Sequence, residues 1–198
     1  MSVYVKICGL QNAASVVTAV NAGANAVGFV FAESVRQVTP AAANAAAQNI
    51  PAEVQRVAVM RHPSNDEWQS VLTGFAPDIL QTDAEDFDKL DVPDSVVCWP
   101  VIREGSAAAS DALPPVYIYE GANSGVGQRV DWSRAAEVAH NGQMILAGGL
   151  TVDNVATAIR MVRPFGVDVS SAVESTPGHK DDELIQQFIG AVRAAENS

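Results

Sequence analysis

MILAGGLTVDNVATAIRMVRPFGVDVSSAV, residues 144–173, reads as two strands joined by a helix. MILAGG (144–149) is a short apolar run that stops at a glycine pair, and VDVSSAV (167–173) is another that stops at a serine pair. Short runs rich in branched apolar residues suit strands of a parallel sheet covered on both faces. TVDNVATAIRMV between them has a helical pattern, with Thr151 where an N-cap is expected and Asp153 near the positive helix end.

The same unit recurs along the whole chain. VYVKIC (3–8), AVGFVFA (26–32), RVAVM (56–60), DILQT (78–82), VVCWPVI (96–102) and VYIYEG (116–121) precede the two runs above, at intervals of roughly two dozen residues. NAASVVTAVNAG stops at Gly23, a C-cap residue, and PAAANAAAQNI starts with Pro40 at a first turn. The third and fifth helices are weakly patterned, and SAAASDALPP (106–115) reads as a degraded helix or loop. Eight strands exceed the five or six of an open doubly wound sheet of this length. The expected fold is one α/β domain over residues 1–198, a (β/α)₈ TIM barrel whose 198 residues require trimmed helices.

Composition narrows the function. Hydrophobic residues make up 48% and charged residues 18%, an ordinary globular balance. With 23 acidic against 12 basic residues the formal charge is -11, which argues against nucleic-acid binding and requires any anionic ligand to be held by local devices. Two cysteines are too few for a disulfide scaffold, and no run is long enough to span a membrane, so a cytoplasmic protein is expected. His62, His140 and His179 are scattered without metal-ligand spacing, with no Cys or carboxylate joining them. Neither a P-loop nor a dinucleotide fingerprint is present. No metal and no cofactor are therefore expected.

Barrels of this kind place their chemistry at the C-terminal ends of the strands. The exits here carry Cys8, Phe31-Ala32, Met60-Arg61, Gln81-Thr82-Asp83, Arg103, Glu120, Gly148-Gly149 and Ser170-Ser171. In order and content they resemble the phosphoribosylanthranilate isomerase family. KICGL, GFVFAESVRQVTP, SGVGQRVDW (124–132), LAGGLTVDNVATAI and GVDVSSAVESTPGHKD carry the resemblance over nearly the whole chain. Three stretches depart from it: Glu120 stands for a family aspartate, Gln81-Thr82-Asp83-Ala84 for Gln-Leu-His-Gly, so that Asp83 replaces a histidine, and Ala172 for a glycine.

The resemblance implies an Amadori rearrangement of a phosphorylated small molecule in tryptophan biosynthesis, run by an acid at the ring oxygen and a base at the C2 hydrogen. It also implies a monomer or homodimer. Cys8 is the candidate base, against the alternative of a small buried hydrophobe. Lys6, two residues earlier on the same strand face, assists it or binds substrate. Glu120 is the candidate acid, with a proton retained by burial among Tyr117 and Tyr119. Asp83 is the alternative acid, or else a solvated loop residue.

Gly148, Gly149, Ser170, Ser171 and Ala172 would bind phosphate through amides, hydroxyls and a helix N-terminus, provided Ala172 escapes positive φ. Arg36 would clamp the anthranilate carboxylate, as in the family. Gln81 would line the pocket as a hydrogen-bond donor. Asp168 would orient the substrate nitrogen or else structure the eighth strand. Cys98, in VVCWPV, is expected to be core packing. The other readings are an isomerase of altered scope and a phosphate-binding barrel without catalysis.

Overall fold

Eight parallel strands close into a barrel in chain order in the computed structural model, which describes residues 2–105, 113–121 and 130–196. They are β1 (Tyr4–Cys8), β2 (Ala26–Val30), β3 (Gln55–Val59), β4 (Ile79–Asp83), β5 (Val97–Arg103), β6 (Val116–Glu120), β7 (Gln143–Leu146) and β8 (Gly166–Val169). Strand β8 returns to pair with β1, setting Lys6 beside Asp168. Most of the loose segment 106–115 and positions 124–129 of the Gly/Ser-rich loop lie outside the described residues.

Helices α1 (Ala13–Ala22), α2 (Pro40–Ala46), α3 (Asn65–Phe75), α4 (Trp132–Ala139), α5 (Val155–Val162) and α6 (Asp182–Glu196) surround the barrel. Gly23 ends α1 in the left-handed region at φ 101, and Pro40 occupies the first turn of α2 behind the Thr39 cap, as expected. The third helix is better built than its pattern suggested. Ser64 and Glu67 form a reciprocal capping box, and Trp68, Val71 and Phe75 are buried on one face.

Thr151 is not the cap of α5, which starts behind Asn154. The Asn154 side chain turns back instead: its Oδ1 accepts from the Thr151 amide at 2.8 Å and its Nδ2 donates to the Gly149 carbonyl at 2.9 Å. The asparagine thereby braces the glycine loop that precedes the helix.

Alternation along the strands creates two cores. Ala26, Val57, Ile79, Trp99, Val101, Ile118 and Ile145 fill the barrel interior, whereas Phe29, Leu80, Ile102, Tyr117, Tyr119 and Leu146 pack outward against the helices. The inward set of each strand continues at its C-terminal end into Cys8, Gln81, Asp83, Arg103 and Glu120, which all line one opening. Between β4 and β5 a 3-10 segment, Ala84–Lys89, replaces a full helix. Cys98 points outward there and is exposed, contrary to the expectation of core packing. Among the described residues, the trimmed connection puts no helix over its face. No helix among the described residues is long and apolar enough to cross a membrane.

After β8 the chain forms a 3-10 turn (Ser171–Val173) and a hairpin, β9 (Glu174–Thr176) with β10 (His179–Lys180), before entering α6.

Candidate active site

A cavity of about 260 Å³ opens at the C-terminal end of the barrel, lined by Cys8, Arg36, Gln81, Asp83, Arg103, Glu120, Gly148, Gly149, Asp168, Ser170, Ser171 and Ala172 among others. Of the residues to which the sequence assigned a catalytic or binding role, Lys6 alone does not line it. Lys6 lies one layer deeper, wholly buried, with its Nζ 2.8 Å from Asp168 Oδ1.

Cys8 follows Lys6 on the same inward face of β1 and sits opposite Gly28 of β2. A Cβ on Gly28 would fall 3.1 Å from Lys6 Cε and 3.2 Å from both Cys8 Sγ and Lys6 Nζ. The glycine therefore makes room for an ammonium and a thiol to lie side by side. Burial alone would lower the Lys6 ammonium, but Asp168 and the Cys8 sulfur outweigh it and hold its pKa above the ordinary range. Burial pushes the Cys8 thiol up; Lys6 and Lys180 oppose the rise and Asp168 adds to it. The sulfur of the free protein is thus held as a thiol more firmly than its neighbouring lysine suggested.

Glu120 is not buried between Tyr117 and Tyr119. Those rings belong to the outer core, because strand alternation turns them away from the inward-facing carboxyl. Instead Arg103 Nη1 donates to Glu120 Oε1 at 2.5 Å, and Arg103 Nη2 donates to Asp83 Oδ1 at 2.5 Å. Asp83 is no solvated loop residue. It ends β4, is 4% exposed, and has its second oxygen 3.4 Å from His62 Nε2.

His62, expected to stand apart from any carboxylate, in fact bridges two. Its Nδ1 lies 3.1 Å from Asp86 Oδ1, and Asp86 also accepts from the His62 amide at 3.0 Å and the Thr82 hydroxyl at 2.6 Å. Together His62, Asp83 and Asp86 form a group with metal-ligand spacing, which the scattered histidines had not suggested. Both carboxylates already hold other donors.

The two segments expected to hold phosphate differ in backbone conformation. Gly148 and Gly149 both have positive φ, 85° and 67°, where a side chain would be strained. Ala172 does not: it lies in the 3-10 turn after β8 and has no positive φ, so its methyl is tolerated.

Arg36 presents one edge to Glu174, with Nε at 2.7 Å and Nη2 at 2.9 Å from the two carboxylate oxygens. Glu174 also holds Lys180, whose Nζ donates to the Ser170 carbonyl at 2.8 Å. Although burial works the other way, the bonds from Arg36, Lys180 and the Gly178 amide hold the Glu174 carboxyl down to about 2. Glu174 and Lys180 were not read as site residues; they lie in VESTPGHKD, but nothing local in that string signals a pairing with residue 36. Gln81 lines the cavity and is 6% exposed, and its buried Oε1 has no hydrogen-bond partner.

A sequence model of the N-(5'phosphoribosyl)anthranilate (PRA) isomerase family matches residues 5–191. The chain belongs to this family. The N-(5'-phosphoribosyl)anthranilate isomerase of Listeria monocytogenes serotype 4b (strain CLIP80459) is 37% identical over 206 aligned positions, covering 97% of this chain and 99% of that one. The crystal structure of phosphoribosyl anthranilate isomerase from Thermotoga maritima superposes with a TM-score of 0.85 at 28% identity, over 97% of this chain and 99% of that one. A second structure of the enzyme, in complex with reduced 1-(o-carboxyphenylamino)-1-deoxyribulose 5-phosphate, matches at TM-score 0.82 and 28% identity, again over 97% and 99% of the two chains.

Proposed function

We propose that this chain is a phosphoribosylanthranilate isomerase of tryptophan biosynthesis, with Cys8 as base and Glu120 as acid. One observation carries the assignment of roles: sulfur, carboxyl and both anion-binding segments open onto a single cavity, although they come from β1, β6, β7 and β8. The substrate is a small molecule carrying a phosphate and a carboxylate. The phosphate would lodge on Gly148, Gly149 and Ser170–Ala172. The carboxylate would meet the guanidinium of Arg36, whose Nε–Nη2 edge is fixed by Glu174 while Nη1 remains outside that pair. Gln81 Oε1 would accept a hydrogen bond from a substrate hydroxyl or amine.

The chemistry then follows from position. Glu120 gives its proton to the furanose oxygen as the C1–O bond breaks and the aniline nitrogen lone pair forms a C1=N⁺ bond. Cys8, acting as the thiolate that the adjacent Lys6 ammonium favours, takes the C2 hydrogen as a proton and becomes the thiol, while the C2 electrons form C1=C2 and the nitrogen recovers its pair. The resulting enol tautomerises to the aminodeoxyribulose. Acid and base act on different atoms of one sugar, so they must flank it.

Lys6 and Asp168 would tune the thiol from below, with Asp168, which lines the cavity, also within reach of the substrate. The family is biosynthetic and we place the protein in the cytoplasm. The chain would act as a monomer or a homodimer; the phosphoribosylanthranilate isomerase of Thermotoga maritima is described as dimeric, with monomers generated from it.

Steady-state kinetics of the wild type, Cys8→Ser and Glu120→Gln test the roles. Each variant should lose about 10²-fold or more in kcat with little change in KM, since each removes a proton transfer made in the transition state. Variants that keep wild-type kcat would overturn the assignment.

A further inference from the structure

Resting on the reading of Arg36 as carboxylate clamp and of the Ser170–Ala172 turn as phosphate subsite, we propose that Glu174 and Lys180 are positioning residues that lock these two subsites to one another. The hairpin after β8 makes the pair. Lys180 on β10 stands opposite Glu174 on β9, and Lys180 Nζ donates to Glu174 Oε1 at 2.7 Å. Each partner then reaches one subsite. Glu174 accepts from Arg36 Nε at 2.7 Å and from Nη2 at 2.9 Å, a two-point bond that fixes the plane of the guanidinium. Lys180 Nζ donates to the Ser170 carbonyl at 2.8 Å and lies 3.4 Å from the Ser170 hydroxyl, at the start of the phosphate turn.

Both side chains are enclosed: that of Lys180 is 1% exposed and that of Glu174 is 3% exposed. Glu174 Oε2 also accepts from the Gly178 amide at 3.1 Å, so the hairpin turn closes on its own carboxylate. Gly178 has positive φ, and a Cβ there would fall 2.7 Å from the Val35 carbonyl oxygen. The turn thus abuts the loop that carries Arg36. Gly9, the residue after Cys8, joins the same assembly. A Cβ on it would fall 2.6 Å from Arg36 Cδ and 3.0 Å from Ser170 Oγ, so both subsites pack on the backbone beside the base.

A buried ion pair adds little net stability over apolar residues of the same volume, whereas its directed bonds fix geometry. Here the bonds run from one anion subsite to the other. With one substrate held at both ends, the spacing between the subsites decides where its sugar lies against Cys8.

The test is direct binding, by titration calorimetry, of two ligands. One is the reduced carboxyphenylamino-deoxyribulose phosphate, which carries both anions; the other is its aniline counterpart, which lacks the carboxylate. Lys180→Met should weaken the aniline compound about tenfold through the phosphate turn, and the carboxylate compound about 100-fold because Arg36 is loosened as well. In an Arg36→Met background the same change should weaken both compounds by the same factor. Glu174→Gln should weaken the carboxylate compound about tenfold more than the aniline one. Loss of folded protein would affect both ligands alike, so the ratio between them reads positioning rather than stability.

Equal losses for the two compounds in Lys180→Met, or an aniline compound bound there as tightly as by the wild type, would overturn the proposal. If Lys180→Met does not fold, Glu174→Gln decides, and equal losses in that variant overturn it. Arg36→Met separates the proposal from the reading beneath it. Equal losses of both compounds there sink Arg36 as the carboxylate clamp, whereas a selective loss there beside an unchanged ratio in Lys180→Met and Glu174→Gln sinks only the positioning pair.

Discussion

Gly28→Ala adds one methyl group at the point where β2 passes beneath the Lys6 ammonium and the Cys8 thiol. The new carbon would stand 3.1 Å from Lys6 Cε and 3.2 Å from Cys8 Sγ, where ordinary contact would lie roughly half an ångström further out. Lys6 has little freedom to yield, because its Nζ is fixed to Asp168 at 2.8 Å and its side chain is wholly buried. The sulfur, at the cavity wall, must therefore move. Overpacking of this kind costs about 1–3 kcal/mol of stability. If Cys8 is the base, its displacement costs more in rate than in binding, because the contacts proposed for the phosphate and carboxylate lie elsewhere. We expect kcat to fall about 10- to 100-fold with KM within a factor of about three. Urea unfolding and steady-state kinetics on the same preparation measure both, with Gly190→Ala as control, since nothing lies within 4 Å of a Cβ there. Wild-type kcat in a folded Gly28→Ala protein would refute the close approach of thiol and ammonium as a functional feature.

The two neighbours of Cys8 should act with opposite sign: Lys6→Met removes a cation that opposes the rise in the thiol pKa, so the thiol limb of the pH profile moves up, whereas Asp168→Asn moves it down. Unmoved limbs in both variants would contradict this. Glu174 has a folded-state pKa of about 2 against an ordinary 4.5, so its contribution is present above about pH 4.5 and is lost as pH falls through 2. Glu174→Gln should therefore cost about 3 kcal/mol in urea unfolding at pH 7, and the gap should close toward pH 2. Gln81→Leu removes the unpartnered acceptor and should raise KM about 2- to 10-fold with stability little changed; an unaltered KM would show that no substrate donor reaches it.

The strands were legible because a buried parallel barrel writes each of them as a short run of branched apolar residues. MILAGG and VDVSSAV place β7 and β8 within a few residues of their observed bounds. Gly23 and Pro40 likewise declare their roles locally. The site was legible only as far as its residues stand on strand exits. Asp83 and Arg103 were both visible there, but their pairing depends on β4–β5 register, which places residues 81–83 beside 99–101. His62 bridges carboxylates because the chain turns at positive φ after β3, and no spacing rule encodes that. Cys98 sits in an apolar string that no helix covers among the described residues, so local hydrophobicity misplaced it. Gly28 was readable in principle: a glycine on the inward face of a strand beside Lys6 and Cys8 signals close approach.

The central claim is spatial, and a crystal structure of this chain with a reduced analogue of the aminodeoxyribulose phosphate product tests it most directly. The account predicts the phosphate on the amides of residues 148–149 and 170–172, sugar C2 within about 4 Å of Cys8 Sγ, and the former ring oxygen within hydrogen-bond reach of Glu120. A phosphate bound elsewhere, or a sugar that Cys8 and Glu120 approach only from one side, would contradict it.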